Sequence, residues 1–158
     1  MPDLMTLHLP QMDHNLVSIG PSTVALVPHR FLNQMLDGSP RLTHVFWRET
    51  LIDAAIYRQW VANLGGHDAI AKIAHLICEV LARLEVVNLA QDNAFQLPFT
   101  QKHVADACGL SIVHVNRTIQ ELRQRSLIAW EGREVTVLDR KELERIAEFE
   151  PDYLHLQR

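Results

Sequence analysis

FTQKHVADACGLSIVHVNRTIQELR, residues 99–123, carries two helix starts and one helix stop in a single short span. Thr100 precedes an amphipathic run, where its hydroxyl can accept from a first-turn amide while Phe99 packs back on Val104. The same arrangement recurs at Leu110, Ser111 and Val115. Between the two starts, Gly109 follows Cys108 and can take the left-handed conformation that ends a helix and turns the chain tightly. Two consecutive helices joined this way make a helix-turn-helix. Small Ala105 suits the close approach of the pair, and Val104, Cys108, Leu110, Val115 and Ile119 supply an apolar core between them.

The phase of the second helix predicts its outer face. With Ile112, Val115, Ile119 and Leu122 turned inward, Val113, Asn116, Arg117, Gln120 and Gln124 point out, with His114 beside them. These side chains suit a DNA major groove: arginine pairs with guanine, asparagine or glutamine with adenine, and valine with a thymine methyl. Base reading is therefore assigned to Val113, His114, Asn116, Arg117 and Gln120. Phosphate contact is assigned to Thr100, Gln101, Lys102, Ser111 and Arg123, at the helix starts and on the basic flank. A solvated helix face is the competing reading of the same polar residues.

Downstream, LIAW (127–130) and EVTVL (134–138) are β-like runs flanking Glu131-Gly132-Arg133, a hairpin or wing whose Arg133 can approach a phosphate. Asp139 with Glu142 forms a capping box for a last helix bearing Leu143, Ile146 and Phe149. Upstream, Asp68 caps an amphipathic helix with Ile70, Ile73, Ala74, Ile77, Leu81 and Leu84 on one face.

Residues 41–64 lack Gly and Pro and carry two adjacent apolar stripes, Trp47, Leu51, Ala55 and Ile52, Ile56, Trp60, Leu64. A face this wide serves either a dimer seam or a helix buried inside a monomer. Gly65-Gly66 then stops the helix and permits a hinge. Before it, RFLNQML suggests one or two helical turns closed by Asp37-Gly38-Ser39-Pro40. NLVSI (15–19) and STVALVP (22–28), parted by Gly20-Pro21, read as strand, turn, strand. A lone hairpin is marginal in water, so these runs are expected to be the end of a larger β domain.

Composition bounds the alternatives. With 158 residues, 47% of them apolar, the chain can bury a core, and disorder is not expected. A net charge of −4 confines any nucleic-acid contact to a local surface. No apolar run approaches the roughly 20 residues that span a bilayer, and MPDLMTLHLPQMDHN has no signal-peptide character, so a cytoplasmic protein without membrane contact is expected. Cys78 and Cys108 show no metal or disulfide spacing and read as buried thiols. A metal-dependent sensor or enzyme using the histidines is an alternative of a different class, since His75 and Cys78 stand at i, i+3 on one helix, but no further ligands share a recognisable spacing, and no metal or cofactor is expected. No nucleophile motif, phosphate-binding glycine loop or paired carboxylates are found, and catalysis is not expected.

LPFTQKHVADACGLSIVHVNRTIQELRQRSLI (97–128), followed by VTVLDRKELERIA (135–147), closely resembles the C-terminal domain of Crp/Fnr-type transcription regulators. PHRFLNQMLDGSPRLTHVFWRETLIDAAIYRQWVANLG (28–65) is similar to the short helix and long dimerisation helix of that family. The resemblance covers residues from about 12 to 147 and implies an α+β, mainly α protein. Its expected parts are the end of a β-roll sensor (1–40), a dimerisation helix and hinge (41–66), a winged helix-turn-helix (67–149) and a tail (150–158). It implies a homodimer joined through Trp47, Leu51, Ile52, Ala55, Ile56 and Trp60, bound to pseudo-palindromic double-stranded DNA, with RNA polymerase as a further partner. The docking geometry comes from the resemblance and not from residue spacing.

Three departures shape these expectations. The family's Gly-, Glu- and Arg-bearing phosphate-binding loop has no counterpart, so no cyclic-nucleotide site is assigned. The cysteine cluster of the iron–sulfur members is likewise missing from the sequence. After Ser111, where many relatives carry Arg and Glu, stand Ile112 and Val113, whereas Arg117 matches the later arginine of the pattern. A shifted base preference follows. The alternative within the same fold is a winged helix that recognises protein instead of DNA.

Overall fold

The computed structural model describes residues 7–12 and 14–156. Two compact units divide the chain, Met1–Ile56 and Tyr57–Arg158. No described helix is long and apolar enough to cross a membrane.

In the first unit, α1 (His29–Gly38) is followed by the start of α2 (Pro40–Gly66). The break between them is local chemistry. Ser39 leaves the helical conformation, its hydroxyl accepts from the amide of Leu42, and Pro40 opens the next helix, where its missing N–H is not needed. The Thr43 hydroxyl donates to the Leu36 carbonyl at 2.8 Å and ties the two helices at this corner. Leu7 and Leu32 are buried, with Met35, Leu36 and Phe46 packed against them.

The strands expected at 15–19 and 22–28 do not form. The turn does occur, with Gly20 at φ +91°, but both runs are irregular and exposed, Val17 to 84% and Leu26 to 94%. β-branched sequence needs a partner ladder and a face to cover, and neither run meets one among the described residues.

The second unit holds the end of α2 and then α3 (Ala69–Val86), β1 (Ala90–Gln91), β2 (Ala94–Gln96), α4 (Gln101–Cys108), α5 (Ile112–Gln124), β3 (Ile128–Glu131), β4 (Glu134–Val137) and α6 (Arg140–Ile146). Asp68 caps α3 by accepting from the Ala71 amide at 2.9 Å, as the spacing predicts. Central α3 packs on α4, α5, α6 and the β1–β2 hairpin, and it is therefore buried almost all round from Ala71 to Glu79. Ile73, Ile77, Leu97, Val104, Val115, Leu122, Ile128, Val135 and Leu143 form the core. Each such side chain contributes about 1.5–3 kcal/mol by leaving water.

The sheet is antiparallel in the order β1-β2-β4-β3, with Phe95 opposite Val135 and Ile128 opposite Val137. The β3–β4 hairpin is the expected wing. Its two-residue turn is Gly132-Arg133, with Gly132 at φ +59°. The β1–β2 hairpin is an addition to the sequence reading. Asp92 and Asn93 both take positive φ, +52° and +60°, which the short polar side chains of Asp and Asn tolerate better than most.

At α6 the capping is simpler than expected. Asp139 accepts from the Glu142 amide at 3.0 Å, but the Glu142 carboxylate turns forward to Arg145, at 2.6 and 2.7 Å, instead of back to the cap. Of the expected tail, Pro151–Leu154 is a 3-10 turn with Leu154 buried against the domain, and residues 157–158 lie outside the described residues.

A polar network holds this turn. Fully buried His75 places Nε2 2.9 Å from the Tyr153 hydroxyl and Nδ1 3.3 Å from the Ala147 carbonyl oxygen. The Tyr153 hydroxyl donates to Glu79 Oε2 at 2.6 Å, and Trp60 Nε1 donates to that same oxygen at 2.9 Å. Arg83 meets Oε1 of Glu79 at 2.7 Å. Burial holds His75 below its ordinary pKa and raises that of Tyr153, the latter with help from Glu79.

Candidate nucleic-acid interface

The helix-turn-helix is built by its caps. The Thr100 hydroxyl accepts from the His103 amide at 3.3 Å, and the Thr100 amide donates to His103 Nδ1 at 3.2 Å, so the capping box closes reciprocally with a histidine in the usual Glu place. The Phe99 ring meets that imidazole edge-on, with centroids 6.4 Å apart. α4 ends at Gly109, φ +62° and ψ +38°, and the next amide, that of Leu110, donates back to the Ala105 carbonyl at 2.9 Å. A Cβ there would stand 3.5 Å from Leu64, an ordinary contact, so glycine is demanded by the backbone angle and not by crowding. Ser111 then caps α5, accepting from the His114 amide at 3.2 Å. Cys108 is buried at the end of α4, and burial pushes its thiol up to about 11.

α5 buries Val115, Thr118, Ile119 and Leu122, an unbroken i, i+3, i+4, i+7 face. Ile112 does not join it. Expected to point inward, it is 47% exposed, and Thr118 takes a place in the core that the sequence reading left out. Periodicity gives the direction of the stripe but not the extent of the partner surface, and the first turn of α5 carries Ile112 clear of the core.

Of the residues assigned to base reading, Val113, His114, Arg117 and Gln120 are exposed, and Asn116 is half-buried. Thr100, Gln101, Asn116, Gln120, Arg123 and Arg133 are gathered around one open cleft of about 380 Å³ between the start of α4, α5 and the wing. Trp130 and Gly132 of the wing also line it. In the sequence, the place of Trp130 in LIAW marks a strand and says nothing of what the strand faces. Lys102 and Ser111 are exposed but outside this cleft. The hydroxyls of Thr100 and Ser111 are acceptors in the caps, and each keeps its own proton to donate outward.

Charge pairing separates two sets of arginines. From α3 onward, Arg83, Arg125, Arg140 and Arg145 are each in an ion pair with a glutamate. Arg117, Arg123 and Arg133 are in none of the ion pairs among the described residues. The unpaired three lie on α5 and the wing tip. An unpaired guanidinium keeps all its donors for a ligand and attracts anions, which is what a phosphate backbone and a guanine edge require.

The residues assigned to the dimer seam fall in different surroundings. Trp47 and Leu51 are 60% and 57% exposed, while Ile52, Ala55 and Ile56 are half-buried. Trp60 is half-buried, with its indole N–H committed to Glu79 and its ring edge-on to His75. The i, i+3 pair His75 and Cys78 is likewise taken up by the interior, the imidazole by Tyr153 and Ala147 and the thiol pushed up to about 12 by burial.

Comparison with known proteins matches residues 71–146 to the Crp-like helix-turn-helix domain. A probable transcriptional activator of Rhizobium leguminosarum bv. viciae is 31% identical over 126 residues, 79% of this chain and 52% of that protein. The transcriptional activator protein FnrL of Cereibacter sphaeroides is 32% identical over 110 residues, 67% of this chain and 44% of its own length. The chain thus spans about half the length of these relatives. The structure of FixK2 from Bradyrhizobium japonicum superposes with a TM-score of 0.68 over 76% of this chain and 59% of that one, at 20% identity, a shared fold.

Proposed function

Because this chain belongs to the Crp/Fnr family of transcription regulators, we propose that it binds duplex DNA sequence-specifically through α5 and thereby regulates transcription. The observation that carries this reading is the set of unpaired arginines, Arg117, Arg123 and Arg133, around a capped helix-turn-helix and its wing. Arg117 stands on the exposed face of α5 to pair with guanine, with Val113, His114, Asn116 and Gln120 as its neighbours in base reading. Arg123 and Arg133, with Thr100 and Gln101, line the cleft where a phosphate would seat, and Lys102 and Ser111 extend the phosphate track.

Two copies joined along α2 would present two such helices to a pseudo-palindromic site about one helical turn apart. Trp47 and Leu51, exposed on α2, favour this use of the helix, with Ile52, Ala55 and Ile56 beside them. Trp60 is better placed as the internal anchor of α2 on α3 than as a seam residue. A regulator of this kind works in the cytoplasm and, where it activates, touches RNA polymerase.

Duplex binding measured across a salt series tests the reading. Phosphate contacts release counterions, so affinity should fall steeply and log-linearly with salt, which a protein-recognising winged helix has no reason to show. Arg117→Ala should cost roughly 1–3 kcal/mol on the preferred site and relax choice at one base pair per half-site. Unchanged binding to all sequences would remove Arg117 from the reading face.

A further inference from the structure

The front of α5 is apolar where an exposed helix start is ordinarily polar. Ile112 and Val113, its first two residues, are 47% and 76% exposed, immediately after the Ser111 cap. Single exposed aliphatic residues are common and need no explanation, and β-branched residues are weak helix formers in any case. These two are adjacent, and the ridge behind them turns polar and cationic, with Asn116, Arg117 and Gln120 followed by Arg123. The occupant of such a surface must be anionic overall and carry apolar knobs at its centre. The major groove answers both demands. Its rims are phosphates, and the C5-methyl of thymine is the apolar group on its floor.

Resting on the DNA-binding reading above, we infer that Ile112 and Val113 are specificity residues that recognise pyrimidine C5-methyl groups. The contact is apolar burial, with Ile112 and Val113 each covering a methyl, while polar discrimination stays with Arg117. The first turn of α5 is the part of a recognition helix that meets base edges, and these two side chains are its exposed apolar content, with His114 the exposed polar residue beside them. Val113 and Arg117 stand one turn apart on the same ridge, about 6 Å along the axis. A base step advances about 3.4 Å, so the methyl-bearing pyrimidines fall within about two steps of the guanine that Arg117 reads. Thymine is one source of this methyl, and 5-methylcytosine carries the same group at the same ring position.

The test uses the full chain and a duplex recovered by selection from a randomised pool. Deoxyuridine replaces thymidine position by position, removing the methyl and nothing else. Near the Arg117 guanine, each such change should weaken binding about four-fold. A 5-methylcytosine placed at those positions should outbind cytosine. The surface double variant Ile112→Ala/Val113→Ala should bind the thymidine and deoxyuridine duplexes equally. Three results would each overturn the inference: no deoxyuridine effect near that guanine, no gain from 5-methylcytosine over cytosine, or a double variant that keeps the wild-type ratio. A chain that enriches no duplex at all would instead overturn the DNA-binding reading, and this inference with it.

Discussion

Removing the carboxylate of Glu79 should loosen two ends of the second unit at once. Glu79 is 6% exposed, and its Oε2 accepts from both Trp60 Nε1 and the Tyr153 hydroxyl. Glu79→Ala leaves Trp60 Nε1 without an acceptor and the Tyr153 hydroxyl with only His75 Nε2 in reach, a loss of up to about 1–3 kcal/mol for each. Trp60 and Tyr153 are half-buried, so water relieves part of it, and the lower half of that range applies to each. The Arg83 pair adds little, because the guanidinium side is 44% exposed. The expected total is about 2–4 kcal/mol, a large share of the roughly 5–15 kcal/mol typical of a folded domain. Glu79→Gln separates hydrogen bonding from charge. Both donors use one oxygen, and a glutamine carbonyl placed there accepts both, so this variant should lose at most about 1 kcal/mol. Urea unfolding followed by circular dichroism, at one fixed protein concentration so that any self-association contributes equally, measures both. Equal losses in the two variants would mean that charge, not hydrogen bonding, is what matters. A loss below about 1 kcal/mol for Glu79→Ala would mean that the network holds nothing.

Other perturbations follow from single features. Gly109→Ala forces a side chain into φ +62° and should cost about 1–2 kcal/mol in urea midpoint measurements, with Gly109→Asn milder. Burial holds His75 below the ordinary 6.5, so in the interval beneath 6.5 the unfolded chain binds the extra proton, and stability falls as pH drops, by up to about 1.4 kcal/mol per unit. Glu79 and the Ala147 carbonyl oppose this depression and His67 adds to it. In His75→Gln the slope between about pH 7.5 and about pH 5.5 should flatten, and a slope unchanged from wild type would assign it to other groups. With Cys78 pushed up to about 12 and Cys108 to about 11, neither thiol should react with a disulfide reagent near about pH 8 until the chain is denatured. Prompt native labelling would contradict their burial.

Features whose partners stand within a few residues of each other are legible in the sequence. The caps at Asp68, Thr100, Ser111 and Asp139, the left-handed turn at Gly109 and the Gly132 wing turn are short-range chemistry, and each forms where the spacing places it. The same reasoning locates Val113 and Arg117 on the outer face of α5, because a helix converts spacing into direction. Features that depend on distant partners are set by packing instead. The runs at 15–19 and 22–28 have strand composition but no ladder, whereas Ala90–Gln96 forms a hairpin because β2 pairs with β4 across about forty residues of chain. Ile112 turns outward because the packed surface ends before the first turn of α5, and periodicity carries no information about where a neighbour stops. His75 and Tyr153 meet across a separation of 78 residues, and Trp60 and Glu79 across 19, so no local pattern announces their network. The convergence of unpaired Arg123 and Arg133 on one cleft is of the same kind, since α5 supplies one and the wing the other, and only the packing of the two elements brings them together.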